Sequence, residues 1–192
     1  ALAQLDPNDH VLALSRSALD QDMTPNCQIE SRPVDPFDHD AVSQAIAAYQ
    51  VDHPIDGAVN FCGSICLKPI HLLSQAEWDQ TLKIHLQSAF VLAKAIVTHT
   101  PSCHLVFFST AAASIGLPNH EAVACAKAGI EGLAKSIAAS YASRPIRCNV
   151  IAPGLVESAM SAPIFNQERA IALSKHYHPM GQLGQPDDIA RF

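Results

Sequence analysis

The sequence predicts an α/β fold, a doubly wound parallel sheet with helices on both faces and three layers in all. Hydrophobic residues make up 48% of the 192 residues and charged residues only 16%. That balance suits a sheet buried on both sides better than a solvated helical bundle or a disordered chain. Short apolar runs also alternate with helical patterns. The clearest is Leu105 to Phe108, which fits a fully buried strand and is followed by a polar Ser109-Thr110 step, a Gly/Pro-punctuated loop and a long Ala-rich helix. The length and unbroken composition predict one domain over 1–192.

The opening ALAQLDPNDHVLALSRS reads as the end of a helix, an Asp-Pro-Asn-Asp turn and a strand from His10 to Leu14. Cys27 to Val34 reads as the next strand. Asp35-Pro36-Phe37-Asp38 then leads into a helix through Tyr49, with Asp38 expected as its N-cap. Ile55 to Val59 makes a compact strand running into Asn60-Phe61-Cys62-Gly63. From Ser74 to His99 the pattern is helical, opened by a Ser74/Glu77 capping box. Trp78, Leu82, Leu86, Ala89, Phe90, Ala93, Ile96 and Val97 recur at three- and four-residue spacing, so one side is expected to be buried. His85 lies on the same stripe, where a core histidine satisfied by its neighbours is the expected role. The strand ending at Phe108 brings Thr110 to a sheet's carboxyl edge, where open α/β folds place their ligands. Glu121 to Tyr141 continues as a helix whose Gly129 and Gly132 permit close approach of a neighbour. Arg147 to Ala152 makes the next strand, ended by Pro153-Gly154. Pro186, Asp187 and Asp188 suit the first turn of a last helix.

The formal charge of -6 and the lack of a lysine/arginine cluster weigh against nucleic acid and anionic membrane surfaces as partners. Cys27, Cys62, Cys66, Cys103, Cys125 and Cys148 form no Cys-x-x-Cys pair and complete no metal site at ligand spacing. Free thiols in a reducing compartment are expected, and no metal. No apolar run reaches membrane-spanning length and no signal-peptide pattern opens the chain, so a cytoplasmic protein is expected.

The order of these motifs resembles the short-chain dehydrogenase/reductase family. Its members carry a serine just after the corresponding strand and a Tyr-x-x-x-Lys on the following helix, with thirteen residues from serine to tyrosine. Laid on without a gap, that spacing puts Thr110 at the serine position, Val123 at the tyrosine position and Lys127 at the lysine position. The resemblance implies a Rossmann-like fold and carbonyl or alcohol chemistry on a small molecule. In the family the tyrosine hydroxyl gives or takes the proton, and the lysine lowers its pKa and holds the ribose. Valine has no proton to give. Thr110 keeps a hydroxyl able to bond a carbonyl oxygen. The candidate surrogates for the missing acid are His85, His120 and a water bound to Lys127. His85 stands where the family has an asparagine that kinks the helix and anchors a relay water; His120 lies three residues before Val123.

The resemblance also implies a cofactor site. Ser15 stands at the usual acidic position and Arg16 follows it, which favours NADP(H) over NAD(H). Asp35 corresponds to the adenine contact, and Asn60, Cys62 and Gly63 to the Asn-Asn-Ala-Gly turn, from which Phe61 departs. Lys127 would hold the ribose. Pro153, Gly154, Val156 and Ser158 correspond to the nicotinamide side, with the Val156 backbone meeting the carboxamide. Residues 161–180 correspond to the substrate-covering segment, in which His176, Tyr177 and His178 are expected on the surface. The family's first strand, its Gly-rich phosphate-binding turn and its last strand have no counterpart in these residues, which points to truncation at both ends. A doubly wound sheet lacking that central strand would leave neighbouring edges unpaired. In the family the two long helices pair across a subunit boundary, so a homodimer or homotetramer is expected. Two functions follow: an NADP(H)-dependent oxidoreductase with impaired catalysis, or an inactive member that binds nucleotide or a partner subunit.

Overall fold

The computed structural model describes residues 5–17 and 27–191. Among them, parallel strands form two sheets. β1 (His10–Ser15) pairs with β2 (Gln28–Pro33), while β3 (Gly57–Val59), β4 (Cys103–Phe108) and β5 (Ile146–Ile151) pair in that order. The register sets Leu12 beside Glu30, Ala58 beside Leu105, and Leu105 beside Cys148. β1 and β3 are not paired with each other, so each keeps one edge without a ladder partner among the described residues.

The helices follow from their caps and apolar stripes. α1 (His39–Asp52) starts where the Asp38 carboxylate accepts the Asp40 and Ala41 N–H groups, which identifies Asp38 as the N-cap. Its Val42 and Ile46 join Ala89, Ile96, Leu105 and Phe107 in the core. Burial of each large apolar chain there contributes roughly 1.5–3 kcal/mol. α2 (Gln75–Leu82) opens with both bonds of the Ser74/Glu77 capping box in place.

The pattern from Ser74 to His99 is one helix in the sequence, but the structure divides it. A π turn at Lys83–Gln87 separates α2 from α3 (Ser88–His99). One extra residue per turn rotates the faces on either side, so His85 and Ser88 are both buried while Phe90 is 49% exposed. Phe90 is thereby corrected from the buried stripe to the surface.

α4 (Ala112–Ile115) is a single turn. α5 (Glu121–Ser140) buries Ala122, Val123, Ala126, Lys127 and Ile130. Gly129 serves packing within the chain, because a Cβ there would meet the Leu86 side chain at 3.2 Å. After β5 come α6 (Ala162–Phe165), α7 (Glu168–Tyr177) and α8 (Pro186–Ala190), none with a buried residue. All six cysteines are free, and burial raises the Cys103 and Cys148 thiols to about 11, so they act as small apolar groups. No helix among the described residues is long and apolar enough to cross a membrane.

Candidate active site

Strand β4 stays paired beyond its last residue. The Ser109 N–H donates to the Ile151 carbonyl at 2.8 Å and the Ala111 N–H to the Pro153 carbonyl at 2.9 Å. This continuation sets Thr110 beside Pro153 and Gly154. Thr110 Oγ1 accepts from the Ala112 N–H at 3.3 Å, which leaves the hydroxyl hydrogen available to a ligand. Ser109, overlooked in the sequence, donates to Glu131 Oε1 at 2.6 Å and is committed to α5.

Val123 and Lys127 sit one turn apart on α5, 9% and 8% exposed. Lys127 Nζ donates to the Phe108 carbonyl at 2.7 Å, at the carboxyl end of β4. Burial pulls the ammonium down to about 8, partly offset by the nearby Cys62 thiol. An aliphatic side chain therefore lies one turn from a buried cation that is still mostly charged at neutral pH.

The turn after β3 is tied to the π turn. The buried Asn60 gives its N–H to the Val106 carbonyl at 3.1 Å, accepts the Cys62 N–H through Oδ1 at 2.9 Å, and donates from Nδ2 to Ser88 Oγ at 3.0 Å. The Ser88 N–H reaches back to the Lys83 carbonyl, and its hydroxyl donates at 2.6 Å to the Ile84 carbonyl that a regular α-turn would have engaged.

His85, 2% exposed, is held by the same turn. Its Nε2 lies 3.1 Å from the Ser64 carbonyl, and assigning the proton to Nε2 makes that a donated bond. Nδ1 then carries a lone pair that is buried and has no partner among the described residues. Burial above all, and the Lys127 charge next, push the imidazole down to about 4, so it is neutral at pH 7. The expected satisfied core histidine is thus satisfied on one nitrogen only. A Cβ on Gly63 would lie 3.6 Å from both His85 Cε1 and Met160 Cε, so the turn, the imidazole and the segment after β5 converge.

His120 is not inside the helix that carries Val123. It is the N-cap, with Nδ1 bonded to the Pro118 carbonyl at 2.8 Å, because α5 begins only at Glu121. Toward the β1 end, Arg16 is exposed and lies close enough to Cys62 to oppose, with the Ser88 bond and Lys127, the rise in thiol pKa that burial causes. The Ser15 hydroxyl donates to the Ser17 carbonyl, and Asp35 accepts the Phe37 N–H at 3.0 Å. Phe61 is 65% exposed and stacks on Phe108 with ring centroids 5.3 Å apart, so it leans on β4 instead of filling the turn.

On the other side, Val156 and Gly184 form a parallel bridge. The Gly184 N–H donates to the Leu155 carbonyl and the Glu157 N–H to the Gly184 carbonyl, both at 3.0 Å, so the Val156 N–H is left out of the bridge. The Val156 carbonyl accepts Ser161 Oγ at 2.7 Å, and Ser161 pairs with Ser158, Oγ to Oγ, at 3.0 Å. His176 and Tyr177 are exposed as expected, but His178 is half-buried and hydrogen-bonded. The Lys127 ammonium, the Thr110 hydroxyl, the Val156 N–H and His85 Nδ1, the last two without a hydrogen-bond partner among the described residues, are the polar groups left for a ligand. The sequence holds no Gly-rich turn for the pyrophosphate.

Residues 12–192 match the family model described as Enoyl-(Acyl carrier protein) reductase. The chain is 32% identical over 139 residues to a D-threitol dehydrogenase of Mycolicibacterium smegmatis, covering 71% of this chain and 53% of that protein. It is 29% identical over 166 residues to the inactive 2-(S)-hydroxypropyl-CoM dehydrogenase 2 of Xanthobacter autotrophicus, covering 81% and 71%. A solved structure superimposes with a TM-score of 0.76 at 25% identity, covering 84% of this chain and 66% of the other. It is a putative NAD(P) dependent gluconate 5-dehydrogenase from Beutenbergia cavernae with bound NADP at low occupancy. The chain thus spans little more than half the length of the first of these relatives.

Proposed function

The chain belongs to the short-chain dehydrogenase/reductase family, and on that premise we propose that it is an NADP(H)-using oxidoreductase of impaired catalysis, acting on a small carbonyl or alcohol. The observation that carries this is Val123, buried one turn before the buried Lys127 at the end of β4. When bound, the cofactor supplies or accepts the hydride. Lys127 holds the ribose, Thr110 orients the substrate oxygen, and the Val156 N–H meets the carboxamide. What is missing is the proton. A positioned acid or base contributes about 10²–10⁴-fold in rate, so turnover falls by that order without one. Arg16 at the end of β1, and the NADP bound to the gluconate dehydrogenase relative, support the phosphorylated cofactor. Ser15, Asp35, Asn60, Cys62, Gly63, Pro153, Gly154 and Ser158 complete the proposed cofactor surface. A homodimer or homotetramer packing through α3 and α5, and a cytoplasmic setting for the free thiols, complete the proposal.

A second proposal is an inactive member that binds nucleotide or a subunit without hydride transfer. It is favoured by the state of both surrogate imidazoles. His85 is held neutral and His120 is bonded to the Pro118 carbonyl, and one relative is itself named as inactive. NADPH oxidation by the intact polypeptide against a panel of ketones separates the two. Slow turnover lost in His85→Ala or His120→Ala supports the oxidoreductase. NADPH binding with no turnover on any ketone supports the inactive member. Absence of NADPH binding overturns both nucleotide roles.

A further inference from the structure

Between Ser161 and Met180 the chain makes two short helices with no buried residue, so packing does little to fix α7 against the site. One side chain supplies a directed link. His178 caps the end of α7, with Nδ1 2.6 Å from the Ser174 carbonyl and Nε2 3.1 Å from the Leu155 backbone nitrogen. A carbonyl can only accept and an amide N–H can only donate. The two bonds together therefore fix one neutral tautomer, with the proton on Nδ1 and the lone pair on Nε2.

The same ring explains a glycine. A Cβ on Gly154 would lie 2.2 Å from His178 Nε2 and 3.0 Å from Cε1. Gly154 is not among the residues with a positive φ, so its backbone conformation does not demand glycine; the space taken by the imidazole does. Leu155, whose N–H the ring accepts, directly precedes Val156, whose own N–H is left out of the bridge to Gly184.

We infer that His178 is a positioning residue: its imidazole latches α7 onto Leu155 and so aims the neighbouring Val156 N–H at the nicotinamide carboxamide. Seating of the covering segment and grip on the redox end of the cofactor become one event. The identity of the ligand rests on the NADP(H) proposal above; the latch between α7 and Leu155 does not.

Three variants of the intact polypeptide test it. His178→Gln keeps an acceptor near the Nε2 position. His178→Asn is too short to reach Leu155, and Gly154→Ala displaces the ring by collision. Hydrogen exchange is measured across Leu155 to Ser158 and α7, together with affinity for NADPH and for 2′-phospho-ADP-ribose, which lacks the nicotinamide. In His178→Asn and Gly154→Ala, exchange in those two segments rises about tenfold, the size of one lost hydrogen bond, with β3, β4 and β5 unchanged. NADPH affinity falls by a similar factor while 2′-phospho-ADP-ribose affinity holds, and His178→Gln stays close to the wild type. Unchanged exchange in both disrupting variants, equal weakening of the two ligands, or a Gln variant as disturbed as the Asn variant overturns the latch. If neither ligand binds the wild type, the NADP(H) proposal falls and the exchange result alone decides the latch.

Discussion

Asn60, Ser88 and Lys127 are buried and hydrogen-bonded to groups inside the fold, whereas from Leu155 to Met180 only Ser161 is buried. The first group forms the floor of the candidate site and is continuous with the core around Leu105 and Phe107. The second forms its roof and is tied together by hydrogen bonds within it, Ser161 Oγ donating to the Val156 carbonyl and His178 Nε2 accepting the Leu155 N–H. The difference teaches where chemistry and stability are coupled. On the proposed function, a change on the floor should disturb both, while a change on the roof should alter ligand contacts and leave the fold standing.

The largest expected effect comes from Lys127. With the ammonium lowered to about 8 by burial, the unfolded chain binds more protons than the folded one between that pH and the ordinary lysine range. The raised Cys103 and Cys148 thiols lower the stability of any variant that keeps them as pH rises past 9, so Lys127 shows in the difference: from pH 8 to 10.5 the wild type should gain about 3 kcal/mol relative to Lys127→Met in the same denaturation series. Nearly as large is the effect of His85. Its imidazole is lowered to about 4, so stability should fall as pH drops from 6.5 toward 4. Urea midpoints should follow that loss in the wild type and not in His85→Asn. An equal pH slope in the variant would show that other groups govern it.

Ser88→Ala comes next. It strips Asn60 of its acceptor and the Ile84 carbonyl of its donor, and should cost about 2 kcal/mol by chemical denaturation. The smallest effect belongs to the roof. Leu173 is 56% exposed on α7, and Leu173→Ala should stay within about 0.5 kcal/mol of the wild type. A loss above about 1 kcal/mol there would break the contrast between floor and roof.

Much of the floor was legible in the sequence. The apolar runs located β1, β2 and β4, and Asp38 and the Ser74/Glu77 pair marked helix starts, because period and capping are local properties of the chain. The π turn was not legible. It depends on a bond between Asn60 and Ser88, far apart in sequence, and an apolar stripe cannot report the insertion of a single residue. Phe90 was assigned to the wrong face for that reason. His178 was expected on the surface because both its partners are backbone groups, which have no signature in residue type. The Ser109–Glu131 bond has only a weak signature, a serine beside a site hydroxyl and a glutamate one turn beyond Lys127.

The central claim is that cofactor-holding groups survive around a position that no longer supplies a proton. It is tested most directly by the rate of NADPH oxidation at saturating ketone in the wild type and in Val123→Tyr, with NADPH affinity measured on both. Similar affinity and a gain in rate of about 10²-fold or more are expected in the tyrosine variant. A wild-type rate equal to that of Val123→Tyr, at equal NADPH affinity, would contradict it.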